Sequence, residues 1–190
     1  MSNPLPEMIP LSALGGRAAQ KHVHGPVTLT EVTHLALASV AARHGQEDAC
    51  KKHLSTLLGQ AAPDVEELVM NDPEAAFWIG PNQWIVGAPH DSHEDLAARL
   101  ITRFGPSASI TEQSDAWAVF DLQGDALPVM ELLCPIDMRT LTVGRARRTT
   151  IDHLGCFVTR RGEDHLRILG PRSSAGSLHH ALLTAMRAAH

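Results

Sequence analysis

Tyrosine is absent from this chain of 190 residues, and aromatic side chains make up only 4% of it. Many nucleic-acid-binding proteins stack bases on aromatic rings, so this scarcity argues against a nucleic-acid partner. The chain also has no apolar run of about 20 residues and no signal-peptide pattern at its start. We therefore expect a cytoplasmic protein with neither a nucleic acid nor a membrane as its partner.

Nucleotide-binding motifs are missing as well. Neither GxGxxG nor GxxxxGK[ST] occurs, and the pair Gly15-Gly16 follows no predicted strand. Backbone amides in such glycine-rich turns hold the phosphates of a nucleotide. The chain alone is therefore not expected to bind NAD, FAD or ATP through those motifs, although a flavin could touch it at an interface.

Cysteine is scarce, since the chain has only Cys50, Cys134 and Cys156, far apart and without a CxxC pair. This number and spacing favour buried thiols in a reducing compartment over a disulfide framework. Cys134 is the one cysteine near an acid and arginines, but it precedes Pro135 at a predicted helix end. A thiolate gains nothing from that end of a helix, so we assign Cys134 to the core.

Twelve histidines are present, yet their spacing does not predict a metal site. His90 and His93 are three residues apart, but they lie at a predicted turn with no cysteine or third histidine nearby. Carboxylate pairs such as Asp121 and Asp125 are not brought into one cleft by any sequence pattern. The remaining close histidine pairs lie in the N-terminal region or on different helix faces: His22 with His24, and His179 with His180. We predict no catalytic, cofactor-binding or metal-binding residue.

Charge is distributed unevenly along the chain, whose net charge is −5. Residues 1–138 carry a sum of −11, and residues 139–190 a sum of +6. Arginine's planar fork suits carboxylates, phosphates and protein partners, so the basic segment is a candidate contact surface. The alternative is an exposed strand face neutralised by the acidic half. Eight arginines and no lysine lie between residues 139 and 172: Arg139, Arg145, Arg147, Arg148, Arg160, Arg161, Arg167 and Arg172.

The most specific local pattern runs from Phe77 to Val86 and contains two of the three tryptophans around Gly80-Pro81-Asn82. Proline at the second position of a turn has its φ already set, and glycine and asparagine tolerate a sharp reversal. The apolar arms on both sides predict a β-hairpin over 76–88. Neither arm carries a nucleophile, a general base or a metal ligand, so this hairpin is scaffold.

Apolar periodicity predicts a protein in which strands and helices alternate. This order predicts an α+β protein of two βαββ-type units packed into one compact body. Residues 1–30 are rich in Pro, Gly and Ala and are expected to form an extended arm, while 31–190 form a single domain with two pseudo-repeated halves. The predicted elements begin with a strand over 34–42, a helix ending at Gly59, the hairpin, and a helix from Asp91 or Ser92 to Phe104. At the start of that helix, Ser92 and Asp95 are spaced as in a capping box. The elements continue with strands 108–113 and 116–122, a helix over 125–133, strands 143–151, 154–160 and 164–169, and a helix from Ser173 or Ser174 to Ala189.

Several segments, taken in order, resemble the gamma subunit of heterotetrameric sarcosine oxidase. The resemblance spans roughly residues 35–188 and depends on the order and spacing of motifs that are weak individually. They are the WIGPNQW hairpin at 78–84, Ser114-Asp115-Ala116-Trp117, Cys134-Pro135-Ile136-Asp137, Gly144-Arg145-Ala146-Arg147-Arg148-Thr149, and Arg172-Ser173-Ser174-Ala175.

The resemblance implies a fold similar to the folate-binding domain of the glycine-cleavage aminomethyltransferases. It also implies an accessory subunit of a complex that oxidatively demethylates sarcosine to glycine, transfers the methyl carbon to tetrahydrofolate and forms hydrogen peroxide. FAD, FMN, NAD and tetrahydrofolate would be held by the partner subunits, which are the larger alpha and beta flavoprotein subunits and a small delta subunit. In that assembly, the candidate partner contacts of this chain are Arg145, Arg147, Arg148 and Arg172.

Two alternatives stay open, as does the question whether the chain itself is an enzyme. A stand-alone folate-binding or aminomethyltransferase-like protein would need Trp78, Trp84 or Trp117 to face a pterin instead of the core. Aminomethyltransferases are about twice this length, and their pterin pocket uses tyrosine, which this chain lacks. The other alternative is an assembly subunit of a related N-methyl amino acid dehydrogenase. The sequence also leaves open a homodimer of the isolated chain, formed through an uncovered docking face.

Overall fold

The computed structural model describes residues 9–190, which contain two antiparallel sheets and five α-helices. The strands are β1 (Lys21–His24), β2 (Val27–Glu31), β3 (Leu35–Ala42), β4 (Leu68–Asn71), β5 (Glu74–Gly80), β6 (Gln83–Pro89), β7 (Ala108–Glu112), β8 (Trp117–Gly124), β9 (Arg145–Ile151), β10 (Leu154–Gly162) and β11 (His165–Pro171). The helices are α1 (Glu47–Leu58), α2 (His90–His93), α3 (Leu96–Phe104), α4 (Leu127–Glu131) and α5 (Ala175–Ala189). None of these helices is long and apolar enough to span a membrane.

Both sheets are built on the same connection pattern. The five-stranded sheet has the order β4-β5-β6-β3-β7, and the six-stranded sheet has the order β1-β2-β8-β11-β10-β9. In each sheet, a first strand (β3 or β8) is followed along the chain by a helix and then by three strands. These three strands pair with one another in chain order, and the last of them (β6 or β11) pairs with the first strand. The predicted α+β class with two units of this type is confirmed.

The tryptophan hairpin forms as predicted, with β5 and β6 joined at Pro81-Asn82. Asn82 has a φ of 56°, a left-handed conformation that asparagine tolerates better than most residues. Trp78 pairs with Trp84 across the two strands. Trp84 is only 1% exposed, and its Nε1 donates to the Pro63 carbonyl at 2.8 Å, so its single polar atom is satisfied in the core.

Each sheet presents one face to its own helices and the other, its inner face, to the opposite sheet. The core between the sheets contains Phe77 and Phe157, whose ring centroids are 5.4 Å apart. On the outer side of the six-stranded sheet, a Cβ at Gly170 would collide with Leu178, so this glycine lets α5 approach β11 closely.

The prediction of an extended arm over residues 1–30 is wrong from Lys21 onward, and residues 1–8 lie outside the described part of the chain. Lys21–His24 and Val27–Glu31 form a hairpin that joins the six-stranded sheet through β8. The strand signal is the alternation of buried Val27, Leu29 and Glu31 with half-buried threonines. The Pro, Gly and Ala residues around it obscured that short pattern.

The helix predicted from Asp91 or Ser92 is also wrong at its start, because two helices occur there. The Ser92 hydroxyl donates to the Pro89 carbonyl at 3.3 Å, so the Ser92–Asp95 capping box does not form. The long helix begins instead at Leu96, where the buried stripe of Leu96, Leu100 and Phe104 starts.

Candidate functional site

Three of the four arginines selected from the sequence lie on β9, an edge strand of the six-stranded sheet. Because side chains alternate along a strand, Arg145 and Arg147 point to one face and Arg148 to the other. Ile151, on the Arg147 face, packs in the helix-side core, whereas Ala146 packs between the sheets. These arginines therefore flank one edge but do not form a single flat patch.

Arg147 is already engaged within the chain. Its Nε lies 3.0 Å from Glu66 Oε2, and its Nη1 donates to the Thr140 hydroxyl at 2.7 Å. The backbone makes further links at this point, since the Ala146 N–H donates to the Glu66 carbonyl at 2.9 Å. Arg147 thus ties β9 to the segment that leads into β4 of the other sheet.

Arg148 and Arg145 differ from Arg147 in having no side-chain hydrogen bond or ion pair with any of residues 9–190. Arg148 is exposed, and Arg145 is half-buried. An exposed guanidinium at a free strand edge can donate to a carboxylate on another chain, because its five N–H groups are unused. Arg148 is therefore the residue on β9 best placed for an external partner.

Arg172 is separated from the other three arginines. It follows Pro171 at the end of β11, two strands away from β9. Its Nη2 donates to the Leu11 carbonyl at 3.1 Å, and its Nη1 lies 3.7 Å from an oxygen of the exposed Asp115. The structure thus places Arg172 beside the N-terminal segment (residues 9–20), at a different surface from that of Arg148.

A groove of about 470 Å³ lies beside Arg172, between the N-terminal segment and the strand ends of both sheets. At its base, Glu31 is only 3% exposed, and its two carboxylate oxygens accept the N–H groups of Leu14 at 3.0 Å and Gln20 at 3.2 Å. This carboxylate fixes the N-terminal segment to the sheet. Trp117 also lines the groove, and its buried Nε1 has no hydrogen-bond partner within residues 9–190.

One ionic cluster was not predicted from the sequence. Arg167 on β11 donates to both oxygens of Asp121 on β8, at 2.7 and 2.9 Å, and His165 Nε2 lies 3.1 Å from the same carboxylate. Burial alone would raise the pKa of Asp121, but the hydrogen bonds from Arg167, together with the nearby His165, outweigh it and lower the pKa to about 2. The Asp121 carboxylate is therefore ionised at neutral pH and fully paired.

All three cysteines are buried and reduced, as expected of core thiols. Burial raises the pKa of Cys50 and of Cys156 to about 11 and raises that of Cys134 in the same direction. Thiols with such values are protonated at neutral pH and poor nucleophiles. Within the described chain, no three His, Cys, Asp or Glu side chains come together as metal ligands could.

No family model matches the chain, and neither does any curated protein. A chain of the heterotetrameric sarcosine oxidase from Corynebacterium sp. U-96, solved with pyrrole 2-carboxylate, is 27% identical and superposes with a TM-score of 0.73. That match covers 87% of each chain. Glycine cleavage system aminomethyltransferase T from Bartonella henselae is 18% identical, with a TM-score of 0.61, over 80% of this chain and 44% of that one.

These comparisons confirm the resemblance predicted from the sequence. The chain has the fold of a chain of heterotetrameric sarcosine oxidase over nearly the full length of both. It shares that fold with less than half of aminomethyltransferase T, and at 18% identity this second similarity concerns the fold alone.

Proposed function

We propose that this chain is the gamma-type accessory subunit of a sarcosine oxidase complex and contributes binding surface rather than catalytic groups. The complex would demethylate sarcosine oxidatively, with transfer of the methyl carbon to tetrahydrofolate. FAD, FMN, NAD and tetrahydrofolate would be bound by the partner subunits. Those partners are the alpha and beta flavoprotein subunits and the small delta subunit.

The observation that carries this proposal is the extent of the sarcosine oxidase match. It covers 87% of both chains, so the similarity extends over most of one polypeptide of that heterotetramer. The aminomethyltransferase match lacks that property, because this chain covers only 44% of it. A polypeptide of this length and fold is thus known within an oxidase assembly.

The edge of β9 beyond Ala146 supplies the surface that we assign to the partner, because the start of the strand is already bonded to residues 66–68. Arg148 offers there an exposed guanidinium with no side-chain partner among residues 9–190, and Val143, just before the strand, is 42% exposed. An arginine that pairs with a partner carboxylate and loses its water typically costs ~2–5 kcal/mol when truncated. Arg172 belongs to a second surface, beside the N-terminal segment, and is a separate candidate.

Purification of the tagged full chain from its native host tests the proposal directly. We expect two larger flavoprotein chains and a small chain in stoichiometric amounts, together with the visible absorption of flavin. Arg148→Ala should reduce this recovery, whereas Arg103→Ala should not. Arg103 is an exposed arginine on α3 without an ion pair in residues 9–190, so it controls for loss of one positive charge.

A colourless protein that purifies without partners would contradict the accessory-subunit proposal. Equal recovery of the partner chains with Arg148→Ala and Arg103→Ala would show that the β9 edge is not part of the interface. It would not contradict the accessory-subunit proposal itself. Arg147→Ala is a poor test of the interface, because it also breaks the contact with Glu66 inside the chain.

A stand-alone folate-binding protein is the second candidate, and one observation favours it. Trp117 lines the 470 Å³ groove, and its indole N–H has no partner among residues 9–190, whereas Trp84 is buried and bonded. A pterin in that groove should quench the fluorescence of Trp117, and Trp117→Phe should abolish the response. A flat titration with tetrahydrofolate would rule this candidate out.

A further inference from the structure

A second cavity, of about 200 Å³, lies between the inner faces of the two sheets. One side of it is apolar and includes Leu37, Phe77 and Ile85 from the five-stranded sheet. The opposite side is polar and includes Arg161 and Arg167 from the six-stranded sheet. Sites for drug-sized ligands usually exceed about 300 Å³, so this cavity suits a smaller molecule.

Arg161 lies at an irregularity in its strand. Arg160 on β10 pairs with Leu166 on β11, and the next pair joins Gly162 to His165, which leaves Arg161 as an extra residue in β10. Arg161 follows Phe157 and Thr159 at alternate positions of β10, so it points to the same inner face as they do. The side chain of Arg161 therefore lines the cavity, next to a β-bulge of the kind that is common beside functional sites.

The two arginines of the cavity differ in their partners. Arg167 is neutralised by the two short hydrogen bonds to Asp121 described above. Arg161 is half-buried and makes no side-chain hydrogen bond or ion pair with any of residues 9–190. Burial, followed by the charge of Arg167, lowers the pKa of Arg161, yet a guanidinium stays protonated at neutral pH. The cavity therefore contains one positive charge without a bonded counter-charge.

We propose that this cavity binds a small organic monocarboxylate, with its carboxylate on the Arg161 guanidinium and its apolar body against Phe77 and Ile85. The proposal concerns a ligand of this chain itself and holds whether or not the chain docks on a partner. A planar guanidinium grips a carboxylate through two parallel N–H···O bonds, which fixes the ligand's orientation. Leu37 and Leu169 complete the apolar surroundings of the ligand.

The charge of the site favours a monoanion over a phosphate. Of the two arginines, only Arg161 has no carboxylate partner within residues 9–190, and the exposed side chains of Asp72 and His34 also line the cavity without an ion pair to either arginine. A dianion would meet the Asp72 charge and would place extra oxygens against the apolar wall without donors for them. A partner's acidic side chain is disfavoured because the arginine lies between two sheets of the same chain.

Calorimetric titration of the purified full chain at low salt tests the site with benzoate as the probe. We expect one benzoate per chain, and at least about tenfold weaker binding of benzamide, which has the same shape without the charge. Inorganic phosphate should bind more weakly than benzoate. If phosphate binds more tightly, or if benzoate and benzamide bind alike, the proposed ligand class is wrong.

Variants locate the binding. Arg161→Gln should weaken benzoate binding about 10- to 100-fold, as expected for loss of a charge-assisted pair, while Arg161→Lys should retain part of it. Arg103→Gln removes the same charge at an exposed position of α3 and should leave the affinity unchanged. Asp72→Asn should leave it unchanged or increase it, because a like charge is removed.

Unchanged affinity in Arg161→Gln, or weaker binding in Asp72→Asn, would overturn the assignment. Thermal unfolding of each variant controls for loss of fold. If Arg161→Gln does not fold, Arg161→Lys and the comparison of benzoate with benzamide on the unmodified chain decide the question. If the unmodified chain binds no benzoate while Arg161→Gln impairs recovery of the complex, the cavity belongs to a partner contact and the proposal is wrong.

Discussion

The inner faces of the two sheets follow the same topology but differ in chemistry. The five-stranded sheet presents an apolar inner face at this contact, with Leu37, Phe77 and Ile85. The six-stranded sheet begins in the same way, with an aligned row of Val119, Leu169 and Phe157. Its next row is polar, because Asp121, Arg167 and Thr159 are aligned across β8, β11 and β10.

The repeat in topology is therefore not a repeat in role. The unit of the five-stranded sheet has few ionisable groups in its core and serves as a scaffold. The other unit holds half-buried ion pairs, an arginine at a β-bulge and the β9 edge. Truncation of an apolar core side chain should therefore destabilise the unit of the five-stranded sheet most. Loss of an ion-pair partner should destabilise the unit of the six-stranded sheet most.

Trp84→Ala should have the largest effect on stability. The side chain is 1% exposed in the core of the five-stranded sheet, so its removal leaves a cavity and an unpaired Pro63 carbonyl. We expect a loss of about 3–5 kcal/mol in the free energy of unfolding, measured by urea denaturation. Trp78→Ala, at the half-buried partner position on β5, should cost clearly less. Equal costs would show that the hairpin, and not the core beneath it, sets the stability of this unit.

Asp121→Asn should destabilise the other unit by about 2–3 kcal/mol at pH 7, because it leaves Arg167, whose side chain is only 13% exposed, without a carboxylate. Asp125→Asn, at an exposed position just beyond β8, is the matched control and should change little. Both variants can be compared by urea denaturation. If Asp121→Asn loses as little unfolding free energy as Asp125→Asn, water hydrates the Arg167 guanidinium in place of the missing carboxylate.

Acid should reproduce part of the Asp121 effect. The pKa of Asp121 falls from an ordinary 3.8 to about 2 on folding, so its contribution is complete above about pH 4 and is lost as the pH falls towards 2. This difference corresponds to about 2 kcal/mol. The unmodified chain should lose that stability over this range, and Asp121→Asn should lack this part of the pH dependence. Parallel pH profiles of the two proteins would contradict the pairing.

Local patterns in the sequence were sufficient for the elements with strong periodicity or turn chemistry. The Trp78–Trp84 hairpin, the helix ending at Gly59 and the C-terminal helix all form at the predicted places. Short strands were not predicted where a few alternating residues lie among prolines and glycines, as with β1 and β2. Strand β4, of only four residues, was not predicted at all.

The candidate sites were harder to predict because they depend on strand register between distant residues. Asp121 and Arg167 are 46 positions apart, and Arg147 and Glu66 are 81 positions apart. Composition did identify the basic segment, but it could not show which arginines are paired inside the chain. Only the register of β10 with β11 shows that Arg161 is the bulged residue.

Arg147→Ala should cost less than Trp84→Ala or Asp121→Asn, and it tests whether the two units are held by charge as well as by their apolar inner faces. Its side chain is 25% exposed and that of Glu66 is 43% exposed, so solvent screens the pair and we expect a loss of about 0.5–1 kcal/mol. Arg148→Ala, on the same strand but unpaired, should cost under about 0.5 kcal/mol in the isolated chain. A double-mutant cycle with Glu66→Ala isolates the pair, and its coupling should shrink as salt is added. A coupling near zero would mean that this ion pair does not help to join the sheets. The apolar contact between Phe77 and Phe157 and the backbone bond from Ala146 to Glu66 would then join them.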